Sequence, residues 1–389
     1  MAGEHVLASV AGRHGWPPAL LPMLHNQAVT AYFYTASAAT GEVDAYRLTA
    51  TATATAGSLE RVATANAGVN LSAIVADPDR RRLYVADRTM PAIVTFAVGP
   101  DGALAKLNVA FTSSPLVNLC LSADRTTMYG VSYTDGTACA HPVDGDGLVL
   151  AAGRLSLELG ADAHCHDVVE VGEGRLVVSA LGHDLLYRVR HDAEEGVLEQ
   201  APPPVRNERD SGPRHLWLSP ARDELYVLGE RDARITAHPL TPGGTRRDWY
   251  TVPSGIELAP GIVRAPGAVS PATDAATGLP FTWAADLAGS PDGRLLFSSE
   301  RSSSTVSVTS AATGRLLGWA AAEAQPRGIA LDPAGRFLLV TGERSSTVSL
   351  FEVTPDGGLR LASHAPAREG LLWAEAMIIP NGSSPTPFP

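Results

Sequence analysis

The chain has 389 residues, a net charge of −11 and an aromatic content of only 6%. Its acidic residues are scattered and no basic stripe accompanies them, so a nucleic-acid partner is not expected, because phosphate binding needs clustered lysine and arginine. No segment approaches the roughly 20 apolar residues of a membrane-spanning helix, and the first residues lack the apolar run of a secretory signal.

The cysteines indicate a cellular compartment. Cys120, Cys139 and Cys165 are an odd number and have no metal-type spacing, which favours a reducing environment over a disulfide framework. We therefore expect a cytoplasmic protein that has no membrane or nucleic-acid partner. The sequence leaves its oligomeric state open.

A repeated strand–turn–strand pattern runs along the chain. A degenerate first unit lies at about residues 25–66, where two alternating strand patterns flank an Ala-Thr-Gly-Glu turn. Six clear copies follow, each with an apolar strand, a turn usually rich in Pro, Asp or Gly, and a second strand. The first apolar residues after these turns are spaced 45, 48, 49, 71 and 42 residues apart, and they are Leu83, Met128, Leu176, Leu225, Leu296 and Leu338. This period predicts an all-β, seven-bladed propeller of four-stranded antiparallel blades.

The repeats also predict how the chain is divided. One closed propeller is expected at residues 25–380, between an N-terminal segment at 1–24 and a tail at 381–389 whose composition predicts disorder. The last apolar strand, AEAMIIP, is expected to pair across the ring closure. Residues 253–283, before the sixth blade, account for the 71-residue interval and predict either a lid over one face or a tolerated surface insertion.

Propeller topology sorts the polar residues by face. In each blade the innermost strand starts, and the second strand ends, at the same face of the disk, because the two strands are antiparallel. Polar residues at those positions should therefore converge on one mouth of the central channel, with the SPDGR-type turns at the opposite face. In chain order they are His164, His166, Arg214, His215, Glu230, Arg301, Arg327 and Glu343.

The spacing of Arg214 and Glu230 predicts that these two residues are neighbours. Arg214 and Glu230 are 16 residues apart, about one strand out and one strand back, so they should lie side by side. An arginine can hold a substrate carboxylate with two parallel hydrogen bonds, and a nearby carboxylate can transfer a proton. A structural ion pair between the two strands explains the spacing equally well. The gathering of arginines, histidines and an acid at one face favours a functional site.

The sequence His164-Cys165-His166 suggests a metal-binding trio at first sight. Alternation along a regular strand, however, points Cys165 away from the two histidines. Two histidines still permit a metal with a third ligand from elsewhere, but no acidic partner stands at a fixed spacing, so no metal is expected. General acid–base catalysis by one histidine is the preferred role, and a histidine satisfied by backbone contacts is the alternative.

The segments GPRHLWLSPARDELYVLGE, ADLAGSPDGRLLFSSER and PRGIALDPAGRFLLVTGE resemble the lactonase-type seven-bladed propellers, the family of bacterial 6-phosphogluconolactonase and fungal carboxy-cis,cis-muconate cyclase. The resemblance covers nearly the whole chain, and the Pro/Gly-rich stretch before the sixth blade is closer to the cyclase branch. It implies the catalytic residues His166, Arg214, Glu230 and Arg301. The remaining residues of the predicted mouth are expected to bind substrate, and they are His164, His215, Arg327 and Glu343.

These residues predict an enzyme without a cofactor that forms or opens a lactone on a small anionic, carboxylate-bearing substrate, with carboxymuconate cyclase-like activity as the first choice. Arg214 and Arg301 would hold carboxylates and stabilise developing charge, while Glu230 and His166 transfer the proton. The alternatives are a 6-phosphogluconolactonase-like hydrolase, a cyclase or isomerase of specialised metabolism, and a non-catalytic propeller that binds a partner.

Overall fold

The computed structural model describes residues 29–50, 57–263 and 272–380. The predicted N-terminal segment 1–24, the predicted tail 381–389 and residues 264–271 of the insertion lie outside the described residues. Seven four-stranded antiparallel sheets are present within the described ranges, which confirms the predicted seven-bladed propeller. No helix in these ranges is long and apolar enough to cross a membrane.

In the described part of the chain, the elements are β-strands and one short 3-10 helix, Ala161–Ala163. In chain order the strands are β1 (Val29–Ser37), β2 (Glu42–Ala50), β3 (Gly57–Asn66), β4 (Leu71–Asp77), β5 (Arg82–Asp87), β6 (Ala92–Val98), β7 (Leu104–Phe111), β8 (Leu116–Leu121), β9 (Thr127–Ser132), β10 (Thr137–Pro142), β11 (Leu155–Glu158), β12 (Cys165–Gly172), β13 (Arg175–Ala180), β14 (Leu185–Asp192), β15 (Val197–Arg206), β16 (Pro213–Leu218), β17 (Glu224–Gly229), β18 (Arg234–Pro239), β19 (Arg247–Tyr250), β20 (Ala284–Gly289), β21 (Leu295–Glu300), β22 (Thr305–Ser310), β23 (Leu316–Ala321), β24 (Pro326–Leu331), β25 (Phe337–Gly342), β26 (Thr347–Val353), β27 (Leu359–Pro366) and β28 (Leu371–Pro380).

Blades two to seven each use four consecutive strands, beginning with β4, β8, β12, β16, β20 and β24. The first blade has the order β28-β1-β2-β3, so the last strand of the described chain is its innermost strand. Phe33 in β1 pairs with Ala376 in β28. The prediction that AEAMIIP pairs across the closure is confirmed, and this pairing joins the two ends of the ring.

The apolar core lies between neighbouring blades. Each sheet is covered on both faces, so inner strands such as β6 and β9 are continuously buried, whereas outer strands such as β7 alternate with exposed positions. Trp217 shows how closely the fifth and sixth blades pack. A Cβ atom added at Gly289 would lie 2.3 Å from the Trp217 ring, so only glycine fits there.

A recurring irregularity near the start of the innermost strands positions the mouth residues. In the fourth, fifth and seventh blades, the register of the innermost strand shifts at one residue, and these residues are His166, Arg214 and Arg327. A β-bulge takes a residue out of the hydrogen-bonded ladder and re-aims its side chain. Three of the eight predicted mouth residues therefore stand on bulges at equivalent places in different blades.

Candidate active site

Glu230 lies between two arginines and is the centre of the predicted site. Its Oε1 accepts a 2.6 Å hydrogen bond from Nη2 of Arg301, and its Oε2 lies 3.3 Å from Nε of Arg214. All three side chains are buried. The prediction that Arg214 and Glu230 lie side by side is confirmed. Arg301, from the neighbouring blade, joins them.

Backbone carbonyls accept further hydrogen bonds from the two arginines. Arg214 donates to the carbonyl of Ala285, while Nε of Arg301 donates to the carbonyl of Trp283 at 2.9 Å. Burial lowers the pKa of Arg214 to about 9, against the opposing effect of the Glu230 charge. The guanidinium is still cationic at neutral pH. Two preorganised cations can stabilise negative charge that develops during a reaction.

His166 stands in a positive environment. Its Nδ1 is buried and has no hydrogen-bond partner, and its ring centroid lies 5.1 Å from that of His215. Burial lowers the pKa of His166 well below its usual value of 6.5, and the charges of Arg214 and Arg327 lower it further. The imidazole is therefore neutral near pH 7, and it has a lone pair that can accept a proton.

His215 is tied into the wall of the channel. Its Nδ1 lies 2.7 Å from Oδ1 of Asp286, and its ring centroid lies 5.5 Å from that of Trp373 on β28. The second oxygen of Asp286 accepts a 2.8 Å hydrogen bond from the backbone N–H of Ile329. These contacts cross several blades, so they favour a positioning role for His215 beside His166.

His164 lies against an aromatic ring. It stacks on Tyr133, with ring centroids 4.5 Å apart and planes 13° apart, and its Nδ1 lies 3.2 Å from the Tyr133 carbonyl oxygen. The premise of a regular strand at residues 164–166 is wrong, because His164 has a left-handed backbone with φ 48° and His166 stands on a bulge. Cys165 is nevertheless buried between blades. In the described ranges, no group of three or more His, Cys, Asp or Glu side chains is arranged to hold a metal ion.

Arg327 and Glu343 form a second ion pair at the mouth. Nη1 of Arg327 lies 2.8 Å from Oε2 of Glu343, and the two side chains are 23% and 34% exposed. Burial alone would raise the pKa of Glu343, but the charges of Arg327 and Arg301 outweigh it and hold that pKa below its usual value. The charge of Arg301, which is paired with Glu230, therefore also acts on the ion pair of Arg327 and Glu343.

The sequence prediction missed Arg88. It directly follows β5, and this is the position that Glu230, Arg301 and Glu343 occupy after the second strands of their blades. Nη2 of Arg88 donates to Oδ1 of Asn70 at 2.7 Å, and its Nε is buried without a hydrogen-bond partner. The signal was present in the sequence, because the topological rule that selects the other mouth residues selects this position as well.

The described parts of the insertion, residues 253–263 and 272–283, form a small apolar cluster beside the site. Ala259, Phe281 and Trp283 are its buried members. The backbone N–H of Gly261 donates to the carbonyl of Arg231 at 2.7 Å, and the carbonyl of Trp283 accepts from Arg301. The insertion therefore anchors a site arginine. A lid over the mouth stays a prediction.

The chain forms a closed seven-bladed propeller, and a buried carboxylate lies between two arginines at its mouth. These features define a propeller protein with a charged site at one end of the channel. The family model described as "Lactonase, 7-bladed beta-propeller" matches residues 30–370. The chain belongs to this lactonase family.

Curated relatives are similar to the chain over most of its length, and a solved structure shares its fold. The chain is 24% identical over 330 residues to the 6-phosphogluconolactonase of Xenorhabdus nematophila, which covers 83% of this chain and 93% of the relative. It is 27% identical over 312 residues to that of Sodalis glossinidius, covering 78% and 87%. The periplasmic gluconolactonase of Pseudomonas aeruginosa has the same fold, with a TM-score of 0.72 and 20% identity over 90% of this chain and 99% of that chain.

These relatives bear on one sequence prediction. Both curated relatives are named 6-phosphogluconolactonase, so placement of the chain in the cyclase branch finds no support in them.

Proposed function

We propose that the chain hydrolyses a lactone that carries an anionic group, in the manner of a 6-phosphogluconolactonase. The observation that carries this proposal is the Glu230 carboxylate held between Arg214 and Arg301, in a mouth that also contains the neutral imidazole of His166. The names of the curated relatives support hydrolysis over the cyclisation that the sequence first suggested.

The reaction begins with attack of water on the lactone carbonyl carbon. The oxygen of water forms a bond to that carbon, the carbonyl electron pair moves onto the carbonyl oxygen, and His166 accepts one proton from the water. Arg214 and Arg301 stabilise the resulting oxyanion. When the tetrahedral intermediate collapses, the bond to the ring oxygen breaks, and that oxygen takes the proton back from His166. The open-chain carboxylic acid then loses its proton to solvent.

Glu230 holds the two arginines in place in this scheme. Both of its carboxylate oxygens already contact guanidinium groups, so the proton is assigned to His166. The negative charge of Glu230 keeps two buried cations close together, which their mutual repulsion would otherwise oppose.

Substrate binding also tunes the base. The charges of Arg214 and Arg327 lower the pKa of His166 in addition to burial. An anionic substrate neutralises part of that positive field, so it raises the pKa of His166 and makes the imidazole a stronger base when the lactone is bound. His166 is therefore a stronger base in the substrate complex than in the free protein.

The proposal is tested by hydrolysis of gluconolactone 6-phosphate, followed by proton release with a pH indicator and corrected for the protein-free rate. We expect clear acceleration by the unchanged chain and a loss of kcat/KM of about 100-fold in Arg214→Ala, the usual size for loss of an oxyanion donor. Arg294→Ala is the matched control, because its side chain is 78% exposed in the turn between β20 and β21, at the opposite face.

Two results would contradict the proposal. One is a rate with the unchanged chain equal to the protein-free rate, and the other is an Arg214→Ala variant as active as the Arg294→Ala control. Conversion of a muconate-type diene in place of the lactone would instead favour the cyclase activity.

A further inference from the structure

We propose that Arg88 and Arg327 form a second anion-binding subsite at the channel mouth, which holds the phosphate of a phosphorylated lactone and makes Arg88 a specificity-determining residue. This inference rests on the proposed function, and it names the chemical group that distinguishes one lactone from another. It assigns a role to a residue outside the group formed by Glu230 and its two arginines.

The first support is the position of the two arginines. Arg88 directly follows the second strand of the second blade, and Arg327 stands on the bulge of the innermost strand of the seventh blade. The first blade lies between those blades, and its strand β28 contacts both β4 and β24. By the topology of the blades, both positions are at the mouth, on either side of the first blade.

The second support is that the charge of Arg327 acts on the pKa of Arg88. Burial lowers the pKa of the Arg88 guanidinium, and the next largest influences on it are the charges of Arg327 and Glu343. The charge of Arg327 also acts on Arg214 and His166. Arg327 therefore links Arg88 electrostatically to the residues of the proposed reaction.

The third support is the balance of charge at the mouth. Arg214 and Arg301 share Glu230, and Arg327 is paired with Glu343. Arg88, by contrast, contacts the neutral amide of Asn70, and its buried Nε has no hydrogen-bond partner. The neighbouring Asp87 carboxylate accepts hydrogen bonds from the backbone N–H groups of Val69 and Asn70, in the connection between β3 and β4.

These pairings leave the Arg88 guanidinium for a ligand. No carboxylate of the described residues lies within ion-pair distance of Arg88, although the charges of Glu343 and Asp87 act on it. A phosphate ester carries close to two negative charges at neutral pH, and its oxygens suit the planar fork of a guanidinium. We therefore infer a phosphate group at Arg88 and Arg327.

The inference is tested by binding of the open-chain products, which needs no turnover. The dissociation constants of 6-phosphogluconate and of gluconate are measured by calorimetry for the unchanged chain, Arg88→Ala, Arg88→Lys and the control Arg294→Ala. We expect 6-phosphogluconate to bind at least about tenfold more tightly than gluconate to the unchanged chain and the control. In Arg88→Ala this preference falls towards one, and Arg88→Lys retains part of it because it keeps the charge but not the fork.

The outcomes separate the subsite from the proposed function. Equal binding of the two ligands by the unchanged chain, or an undiminished preference in Arg88→Ala, overturns the subsite, even if gluconolactone is hydrolysed. A phosphate preference that depends on Arg88 supports the subsite even if no lactone is hydrolysed, and in that case it is the proposed function that fails. Thermal unfolding of each variant shows whether a loss of binding reflects loss of the fold.

Discussion

Two sets of acidic residues, one at each face of the propeller, make different kinds of contact. At the face away from the site, Asp124, Asp292 and Asp332 accept hydrogen bonds from backbone N–H groups two to five residues along their own turns. At the mouth, Glu230 contacts arginines that are 16 and 71 residues away. The first group builds single turns, whereas the contacts of Glu230 join two neighbouring blades. The same side-chain chemistry therefore serves the fold at one face and the proposed reaction at the other.

The largest loss of stability is expected from replacing the mouth carboxylate. Glu230→Gln keeps the shape of the side chain but removes the charge between Arg214 and Arg301, so the two guanidinium groups repel each other. We expect kcat for gluconolactone 6-phosphate to fall at least about tenfold, with a loss of roughly 3 kcal/mol in the free energy of unfolding. The KM should not rise, because the positive charge that attracts the anion is retained. A raised KM with unchanged kcat would show that Glu230 does not position the arginines.

An intermediate effect is expected from pH. His166 stays neutral in the folded chain because its pKa is lowered, while the unfolded chain takes up a proton below about pH 6.5. The contribution of His166 to stability is therefore complete above that pH and is lost as the pH falls. Between pH 7.5 and pH 5.5 this loss amounts to about 1.4 kcal/mol.

Urea denaturation of the unchanged chain and of His166→Gln at the two pH values checks this prediction. The other histidines contribute equally to both proteins, so the difference between their pH dependences isolates His166. Identical pH dependences would show that the folded chain protonates His166 as readily as the unfolded chain does.

The smallest effect is expected at the opposite face. Asp292 accepts hydrogen bonds from the hydroxyl of Ser290 at 2.6 Å and from the backbone N–H of Arg294 at 3.0 Å. Asp292→Ala should lower the free energy of unfolding by about 1 kcal/mol and leave kcat/KM within about twofold. Denaturation of the variant tests the expected loss of stability, and the lactone assay on the same preparation tests the expected retention of activity. A large loss of activity here would remove the contrast between the two faces.

The difference between local and long-range contacts also explains which parts of the fold and of the site could be predicted from the sequence. The pairing of AEAMIIP across the ring and the contact of Arg214 with Glu230 were predictable, because each follows from strand direction and strand length. The environment of His166 was not, because the bulge that displaces it leaves no mark in the apolar pattern. The carbonyl of Trp283 that anchors Arg301 belongs to an insertion outside the repeat, so no blade-to-blade comparison could assign it.

Arg88 is a different case. Its place after β5 obeys the rule that selected Glu230, Arg301 and Glu343. Topology alone would have included it.

A crystal structure of the chain with 6-phosphogluconate bound tests the central claim most directly. We predict that the product carboxylate lies at Arg214 and Arg301, within about 3 Å of their guanidinium nitrogens, and that the phosphate lies at Arg88 and Arg327. A product molecule bound only at the opposite face, or at the mouth without contact to Arg214 and Arg301, would contradict the assignment of this mouth as a lactonase site.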